Sequence, residues 1–283
     1  LPARPDWLGD PQRGLVHPGP LTVLADSACG AAVGLALDRA QPYATLDLRM
    51  DLLRPASPDR GFSCTAECFR MTTSVAFTRA TVWQEDEAAP IATALATFMR
   101  GTATKRPARA ASEAASGADA SAPEARPAEI APGATTAPAA GWAAPATSES
   151  ITLGPQRTYV DYLGMRASRA EDGGRIFRLP FDAKLIGNPV LPALHGGVIA
   201  AFAETSAYLH LVDALPESKL PKAIDFSIDY LRSGRPVETF ARCETIRVGN
   251  RVALVQTWCW QTSPAQPIAL TRGHFLLADP DAA

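Results

Sequence analysis

Hydrophobic and polar positions along the chain follow one plan that occurs twice. Two stretches, 17–37 and 195–215, are mostly apolar and contain no proline beyond their first turn. This pattern predicts two long central helices that are buried on nearly all sides. After the first helix, apolar residues stand at every second position from Leu46 to Leu52, and the same alternation follows the second helix. Alternation of this kind predicts a strand with one buried face.

Further strand-like runs complete each half of the chain. They span 61–71, 74–86 and 89–100 in the first half, and 237–248, 251–263 and 266–277 in the second. A run from Arg175 to Phe181 also predicts a strand before the second helix. The repeating unit is therefore a strand, a long helix and four antiparallel strands. This is an α+β class, in which an antiparallel sheet wraps around one central helix.

The two halves are copies of one another. One offset of 178 residues (195 − 17 and 204 − 26) relates His17 to His195, Asp26 to Glu204, and 46–54 to 224–232. Chance similarity does not keep register over such a span, so the chain is a tandem duplication. In this alignment Leu1 corresponds to Leu179, in the middle of the leading strand. We therefore expect the first strand of the first copy to be truncated.

Composition separates the two copies. The chain has 283 residues, which is enough for two domains with their own cores. Between 102 and 150 it is mainly Ala, Pro, Ser, Thr, Gly and charged residues, with Ile130 and Trp142 as the only large apolar side chains. Such a segment cannot bury enough surface to offset the entropy of ordering. We expect a disordered linker at 102–150, between an N-terminal unit at 1–101 and a C-terminal unit at 151–283.

Charge and cysteine content narrow the functional class. The net charge of −2 and the pI near 6.1 do not indicate the excess of basic residues that is typical of nucleic-acid-binding proteins. No nucleic-acid partner is therefore expected. The chain has neither an apolar run of 18 residues nor a leader with a cleavage site, so no membrane partner is expected. The five cysteines are scattered and do not form ligand pairs. We expect reduced core thiols, no metal site and a cytoplasmic location.

One motif resembles a known family. His195-Gly-Gly followed by Glu204, with its first-copy counterpart and the strand ending Leu52-Leu-Arg-Pro-Ala56, resembles hotdog-fold thioesterases of the phenylacetate-degradation (PaaI) type. The resemblance covers both halves and leaves out only the linker. It implies two hotdog folds that pair as a pseudo-dimer within one chain, with each active site built across the pair. It also implies hydrolysis of acyl-CoA thioesters, in which coenzyme A is part of the substrate and no separate cofactor is needed. A homodimer of double-hotdog chains stays open.

The resemblance assigns roles to individual positions. In the family, the backbone N–H after the histidine stabilises the oxyanion, the partner copy supplies a carboxylate, and a hydroxyl stands at the start of the following strand. The residue after the histidine is Gly196 in the second copy, but it is Pro18, which has no N–H, in the first. The hydroxyl position holds Thr45 in the first copy and Ala223 in the second. The two possible sites are therefore unequal.

These differences predict one complete site and one degenerate site. The complete site is expected to contain Asp26, Gly196, Thr45, His195 and Asn188. The degenerate site is expected to contain Glu204, His17 and Pro18. Asp26 is expected to act either as general base or as nucleophile, and the histidines are expected to brace the helix entrances. Asn188 stands one position away from an asparagine that the family often has.

Substrate binding is assigned to a glycine and to basic residues. The candidates are Gly197, Arg54, Arg232, Arg247 and Arg251. Glycine allows close approach of a ligand, and arginine binds phosphates such as those of coenzyme A. The alternative for each arginine is a solvated residue at a strand end.

Two other functions stay open at this point. One is a non-catalytic module that binds acyl-CoA. The other is the enoyl-CoA hydratase or dehydratase branch of the hotdog fold. The acid nine residues after His-Gly-Gly fits the thioesterase branch better than the hydratase branch.

Overall fold

The computed structural model describes residues 1–10, 13–101, 142, 144–188, 192–216 and 220–278. In these residues the helices are α1 (Gly19–Ala36), α2 (Tyr159–Leu163) and α3 (Gly196–Ala214). The strands before the linker are β1 (Leu8–Asp10), β2 (Leu15–Val16), β3 (Tyr43–Leu52), β4 (Ser63–Met71), β5 (Val75–Trp83) and β6 (Ala92–Arg100). The later strands are β7 (Glu149–Ser150), β8 (Arg166–Arg169), β9 (Arg175–Leu179), β10 (Ile186–Asn188), β11 (Ala193–Leu194), β12 (Leu220–Tyr230), β13 (Thr239–Val248), β14 (Val252–Trp260) and β15 (Ala269–Ala278).

One antiparallel sheet of eleven strands joins the two copies. Its order is β4-β5-β6-β3-β12-β15-β14-β13-β9-β8-β7, and β1-β2 and β10-β11 form two small separate sheets. The copies meet where β3 pairs with β12, and Arg49 stands opposite Ser227 at the centre of that pairing. Because Arg49 and Ser227 are equivalent in the repeat, an approximate twofold axis passes through this pair. Each copy is a sheet wrapped around one helix, and the two form an intramolecular pseudo-dimer.

Glycines at the helix N-termini let α1 and α3 pack closely. A Cβ atom on Gly197 would lie 2.6 Å from the Cα of Val23, and a Cβ on Gly19 would lie 3.0 Å from the Cβ of Ala201. The two contacts are equivalent in the repeat. Both helix entrances are therefore brought against the N-terminal half of the opposite helix, about one turn before its acid.

The two helices are buried to different extents. From Gly197 to Ala207 every residue of α3 is buried, as the sequence predicts. In α1 the first turn is buried, but beyond it the buried positions lie on one face (Ala25, Asp26, Cys29 and Val33), and Leu35 is 88% exposed. The sheet of the second copy continues through β9, β8 and β7, whereas the first copy ends at β4. The prediction of burial on nearly all sides is thus correct for α3 and wrong for α1.

Helix α1 is also long and apolar enough, by length and composition, to cross a membrane, a property shared by core helices of soluble proteins. Here it packs against α3 and against β4 and β5. One of its faces forms part of the hydrophobic core, through Leu21, Ala25, Cys29 and Val33.

The C-terminal end of the predicted linker at 102–150 is ordered against the second copy. Trp142 is 2% exposed, and its ring packs 5.3 Å from that of Trp258. Glu149–Ser150 form β7, which pairs with β8. Glu149–Ser150 thus belong to the second copy's sheet, and the Trp142 ring packs against that sheet, so these residues are not part of a disordered linker. The rest of the predicted linker, 102–141 and 143, lies outside the described residues.

Candidate active site

The Asp26 carboxylate lies at the N-terminus of the opposite copy's helix. The Gly197 N–H donates to Asp26 Oδ2 over 2.7 Å, and the Thr45 hydroxyl donates to Oδ1 over 3.1 Å. Asp26 is buried. The free N–H groups and the dipole at the start of a helix both favour a negative charge. The acid of the first copy is therefore held by the helix of the second.

His195 closes the same cluster. Its Nδ1 accepts the Gly197 N–H over 3.0 Å and lies 3.3 Å from Asp26 Oδ2. Its Nε2 lies 2.8 Å from the Ser27 hydroxyl, which donates its own hydrogen to the Val23 carbonyl. Through these contacts His195 braces α1 against the entrance of α3.

Gly196 stands between Asp26 and Tyr230. It is the first residue of α3, so its N–H has no acceptor within the helix, and no group that the structure describes accepts it. A Cβ on Gly196 would lie 2.9 Å from Asp26 Oδ2 and 3.3 Å from Tyr230 Oη. The acid and the phenol thus flank this glycine.

The Tyr230 hydroxyl is a second unused donor. Its oxygen is buried and has no hydrogen-bond partner within the described part of the chain. Burial, reinforced by the charge of Asp26, raises the pKa of Tyr230 well above its ordinary value, so the phenol keeps its proton. Two free donors, the Gly196 N–H and the Tyr230 O–H, therefore lie beside one carboxylate.

The corresponding helix entrance of the first copy is built differently. The Gly19 N–H donates to His17 Nδ1 over 2.9 Å, and Pro18 has no N–H to offer. The ring of Tyr159 stacks on His17 with 4.9 Å between centroids. Burial lowers the pKa of His17 to about 3, so the imidazole is neutral at physiological pH. His17 Nε2 lies 3.3 Å from the Thr205 hydroxyl, which repeats the contact of His195 with Ser27.

Glu204 faces this second entrance, where no backbone N–H of the described residues donates to it and the nearby Thr22 hydroxyl donates to the Pro18 carbonyl. Glu204 is 2% exposed, and neither carboxyl oxygen has a hydrogen-bond partner among the described residues. Burial raises its pKa to about 8, opposed only partly by the nearby Thr22 hydroxyl. Glu204, Pro18 and Ala223 line a cavity of about 130 Å³. The cavity therefore lies at the site that the sequence predicts to be degenerate.

The four predicted arginines lie at different ends of the sheet. Arg232 follows Tyr230 at the Asp26 end, where its guanidinium donates to the Pro267 carbonyl. Arg54 lines the Glu204 cavity and donates to the Pro90 carbonyl. Arg54 therefore lies at the Glu204 end of the sheet and not beside Asp26.

Arg247 and Arg251 flank the turn between β13 and β14. The Arg251 carbonyl accepts from Leu277, which pairs with Pro221 near the start of β12. Tyr230 is nine residues further along β12, which corresponds to roughly 30 Å. The structure therefore does not bring Arg247 and Arg251 to the Asp26 end.

Asn188 ends β10, but its side chain lies outside the described part of the structure. Among the residues that are described, no three His, Cys, Asp or Glu side chains cluster as ligands for a metal ion. The geometry at Asp26 is that of an acid beside hydrogen-bond donors, which suits acid–base chemistry on a carbonyl compound.

Two polar neighbours of the site were missed by the sequence reasoning. Ser27 follows Asp26 just as Thr205 follows Glu204, so the repeat itself carried that signal. Tyr230 occupies the position that Leu52 has in the first copy. The replacement of leucine by tyrosine at this position of a buried strand face was the sequence signal that the two sites differ.

The chain belongs to the thioesterase superfamily, whose family model matches residues 13–91 and 191–266, and it is a thioester hydrolase. The two matched segments fall in the two copies. The medium/long-chain acyl-CoA thioesterase YigI of Escherichia coli (strain K12) is 31% identical over 107 residues, which cover 33% of this chain and 69% of that protein.

Solved structures match both copies at once. A hotdog-fold protein from Alicyclobacillus acidocaldarius aligns with a TM-score of 0.59 and 14% identity, covering 98% of this chain and 91% of that one. The acyl-CoA thioesterase II TesB2 from Mycobacterium marinum aligns with a TM-score of 0.53 and 15% identity, covering 94% and 91%. At these identities the likeness shows the fold, and it confirms the predicted pair of hotdogs in one chain.

Proposed function

We propose that the protein hydrolyses acyl-CoA thioesters to a free acid and coenzyme A at one site, beside Asp26. The observation that carries the proposal is the Asp26 carboxylate of one copy next to the unused Gly196 N–H of the other. Membership of the thioesterase superfamily and the likeness to an acyl-CoA thioesterase support the reaction class.

The two free donors supply an oxyanion site. The thioester carbonyl oxygen accepts from the Gly196 N–H and from the Tyr230 hydroxyl, which stabilise the negative charge that develops on it. Donors at a helix N-terminus are fixed before the reaction, so they need no reorganisation when the charge appears.

Asp26 acts as the general base. Its two oxygens are held by Gly197 and Thr45, and a carboxylate fixed in this way suits activation of water rather than formation of an anhydride. Asp26 takes a proton from water, the water oxygen bonds to the carbonyl carbon, and the C–S bond then breaks. The coenzyme A thiolate leaves and receives the proton that Asp26 took from water, which restores the carboxylate, and the acyl group departs as the free acid.

The Glu204 end lacks these parts. Pro18 has no N–H, and Ala223 stands where Thr45 stands at the other end. The Gly19 N–H donates to His17, and Glu204 accepts no hydrogen bond from the described residues. A buried, protonated carboxyl with no fixed donor beside it does not suit base catalysis at neutral pH. Hydrolysis is therefore assigned to Asp26 alone.

Release of the free thiol from a panel of acyl-CoAs tests the proposal. Wild-type protein should release coenzyme A, and Gly196→Pro should lower kcat/KM by about a hundredfold, the cost of one oxyanion donor. Gly196→Ala is the matched control, because it adds a Cβ close to Asp26 but keeps the N–H. A Gly196→Pro variant that is as active as Gly196→Ala would contradict the donor role. Tight binding of acyl-CoA by the wild type without thiol release would favour a non-catalytic binding module.

A further inference from the structure

The cavity at Glu204 is a separate concave site. It holds about 130 Å³ and has apolar walls formed by Leu15, Leu21, Leu52 and Phe275. It lies at the opposite end of β12 from Tyr230, so it is not part of the Asp26 site. Its size is close to the roughly 150 Å³ of an apolar protein cavity that admits benzene. The space fits a short aliphatic or aromatic group.

One polar side chain is built into this apolar cavity. Glu204 is almost fully buried, and both of its carboxyl oxygens lack a hydrogen-bond partner among the described residues. A buried polar group without a partner is costly. A ligand with an acceptor oxygen would remove that cost, since the protonated carboxyl has one O–H to donate.

The mouth of the cavity carries positive charge. Arg54 and Lys222 line it, and both side chains are exposed. Such groups attract a ligand that carries phosphate or carboxylate groups outside the cavity. The other ionisable side chains that line the cavity are His17, Tyr208, Asp10 and Arg13. Asp10 and Arg13 form an ion pair of 3.8 Å with each other.

We propose that this cavity binds an acyl group without hydrolysing it, with the Glu204 carboxyl donating a hydrogen bond to the acyl carbonyl. The acyl group belongs either to a coenzyme A thioester or to a free carboxylic acid, which present the same apolar chain and carbonyl. Pro18 has no N–H to serve as an oxyanion donor beside that carbonyl. The raised pKa of Glu204 keeps that carboxyl mostly protonated at neutral pH, so it does not serve as a base. The bound group therefore stays intact. The proposal does not depend on catalysis at Asp26.

Calorimetric titration of the full chain tests the proposal. The main probe is a butanoyl-CoA analogue in which CH₂ replaces the thioester sulfur, so that the carbonyl is kept and cannot be hydrolysed. Butanoate and coenzyme A alone are titrated separately and distinguish the free acid from the thioester as the source of the acyl group. Two plugging variants add bulk to the cavity lining from neighbouring strands, Leu52→Trp in β3 and Ala223→Phe in β12. Thermal melting shows whether each variant is folded.

The expected result is loss of one binding event in either folded plugging variant. Glu204→Leu, which removes the donor, should weaken that event about tenfold, whereas Glu204→Gln, which keeps an N–H donor, should retain it. The same event should weaken between pH 7 and pH 9 in the wild type and stay constant in Glu204→Gln. Titrations that are identical in the wild type and both plugging variants would overturn the proposal, as would unchanged affinity in Glu204→Leu.

Discussion

The hydrogen bond from the Gly197 N–H to Asp26 Oδ2 joins the start of one copy's helix to the acid of the other. The Gly197 N–H also donates to His195. At the equivalent place in the first copy, the Gly19 N–H donates to His17, but Glu204 has no partner among the described residues. Two halves that descend from one sequence thus form two different environments for a carboxyl group. One environment holds a carboxylate, and the other favours the protonated acid.

Thr45→Val removes the hydroxyl that donates to Asp26 Oδ1 while keeping the side-chain shape. We expect the free energy of unfolding to fall by about 1 kcal/mol, because one hydrogen bond to a charged group is lost. Turnover should fall about tenfold, since the base is less well positioned. Denaturant unfolding and thiol release measure the two effects, and Thr45→Ser, which restores the hydroxyl, is the control. Wild-type turnover in Thr45→Val would show that the hydroxyl does not position the base.

Tyr230→Phe separates stability from activity. The hydroxyl is buried and has no partner among the residues that the structure describes, so its removal should raise the free energy of unfolding by about 1 kcal/mol. The same change deletes one proposed oxyanion donor and should lower kcat by about tenfold or more. A variant that is more stable but equally active would exclude Tyr230 from the reaction.

Gly197→Ala should destabilise the pairing of the two copies. The added Cβ would lie 2.6 Å from the Cα of Val23, and this backbone contact cannot be relieved by a rotamer change. We expect a loss of about 2 kcal/mol or more in the free energy of unfolding. Gly30→Ala in the middle of α1 is the matched control, because its Cβ would meet only ordinary contacts at 3.8 Å. Helix propensity predicts that Gly30→Ala gains up to about 1 kcal/mol. Equal stability of the two variants would contradict the close helix contact.

Glu204 should make stability depend on pH. Its pKa is about 8 in the folded protein and 4.5 as a free side chain, so the folded state binds the proton more tightly. The free energy of unfolding therefore falls as the pH rises from 4.5 through 8. Relative to Glu204→Gln, the wild type should lose up to about 5 kcal/mol across this window, in the limit of full burial. Parallel pH–stability curves for the two proteins would show that Glu204 is ionised at neutral pH.

The helices and most strands were predictable because their signals are local. The apolar run 17–37 contains α1 at Gly19–Ala36, and each predicted run after β3 and β12 corresponds to one strand. The pairing of the two copies followed from the duplication and the family resemblance rather than from local pattern, whereas the choice of β3 and β12 as the paired strands was not predicted. The predicted burial of the outer face of α1 was wrong, because that burial depends on where the sheet of the first copy ends and not on the local sequence pattern.

The asymmetry of the two helix entrances was readable from the sequence, because Pro18 and Ala223 show at once which groups are missing. The Glu204 cavity and the Tyr230 hydroxyl could not be predicted from the sequence, because both depend on how side chains from opposite copies pack. The cytoplasmic location, the lack of a separate cofactor and the homodimer stay predictions.

The most direct test of one site at Asp26 is kcat/KM for acyl-CoA hydrolysis in Asp26→Asn and Glu204→Gln, compared in the same assay. Each variant exchanges a carboxyl for an amide at equivalent positions of the repeat. Asp26→Asn should lose at least about a hundredfold, as expected for loss of a general base, and Glu204→Gln should lose less than about tenfold. Full activity in Asp26→Asn together with loss in Glu204→Gln would place the chemistry at the other end of the sheet and contradict the assignment.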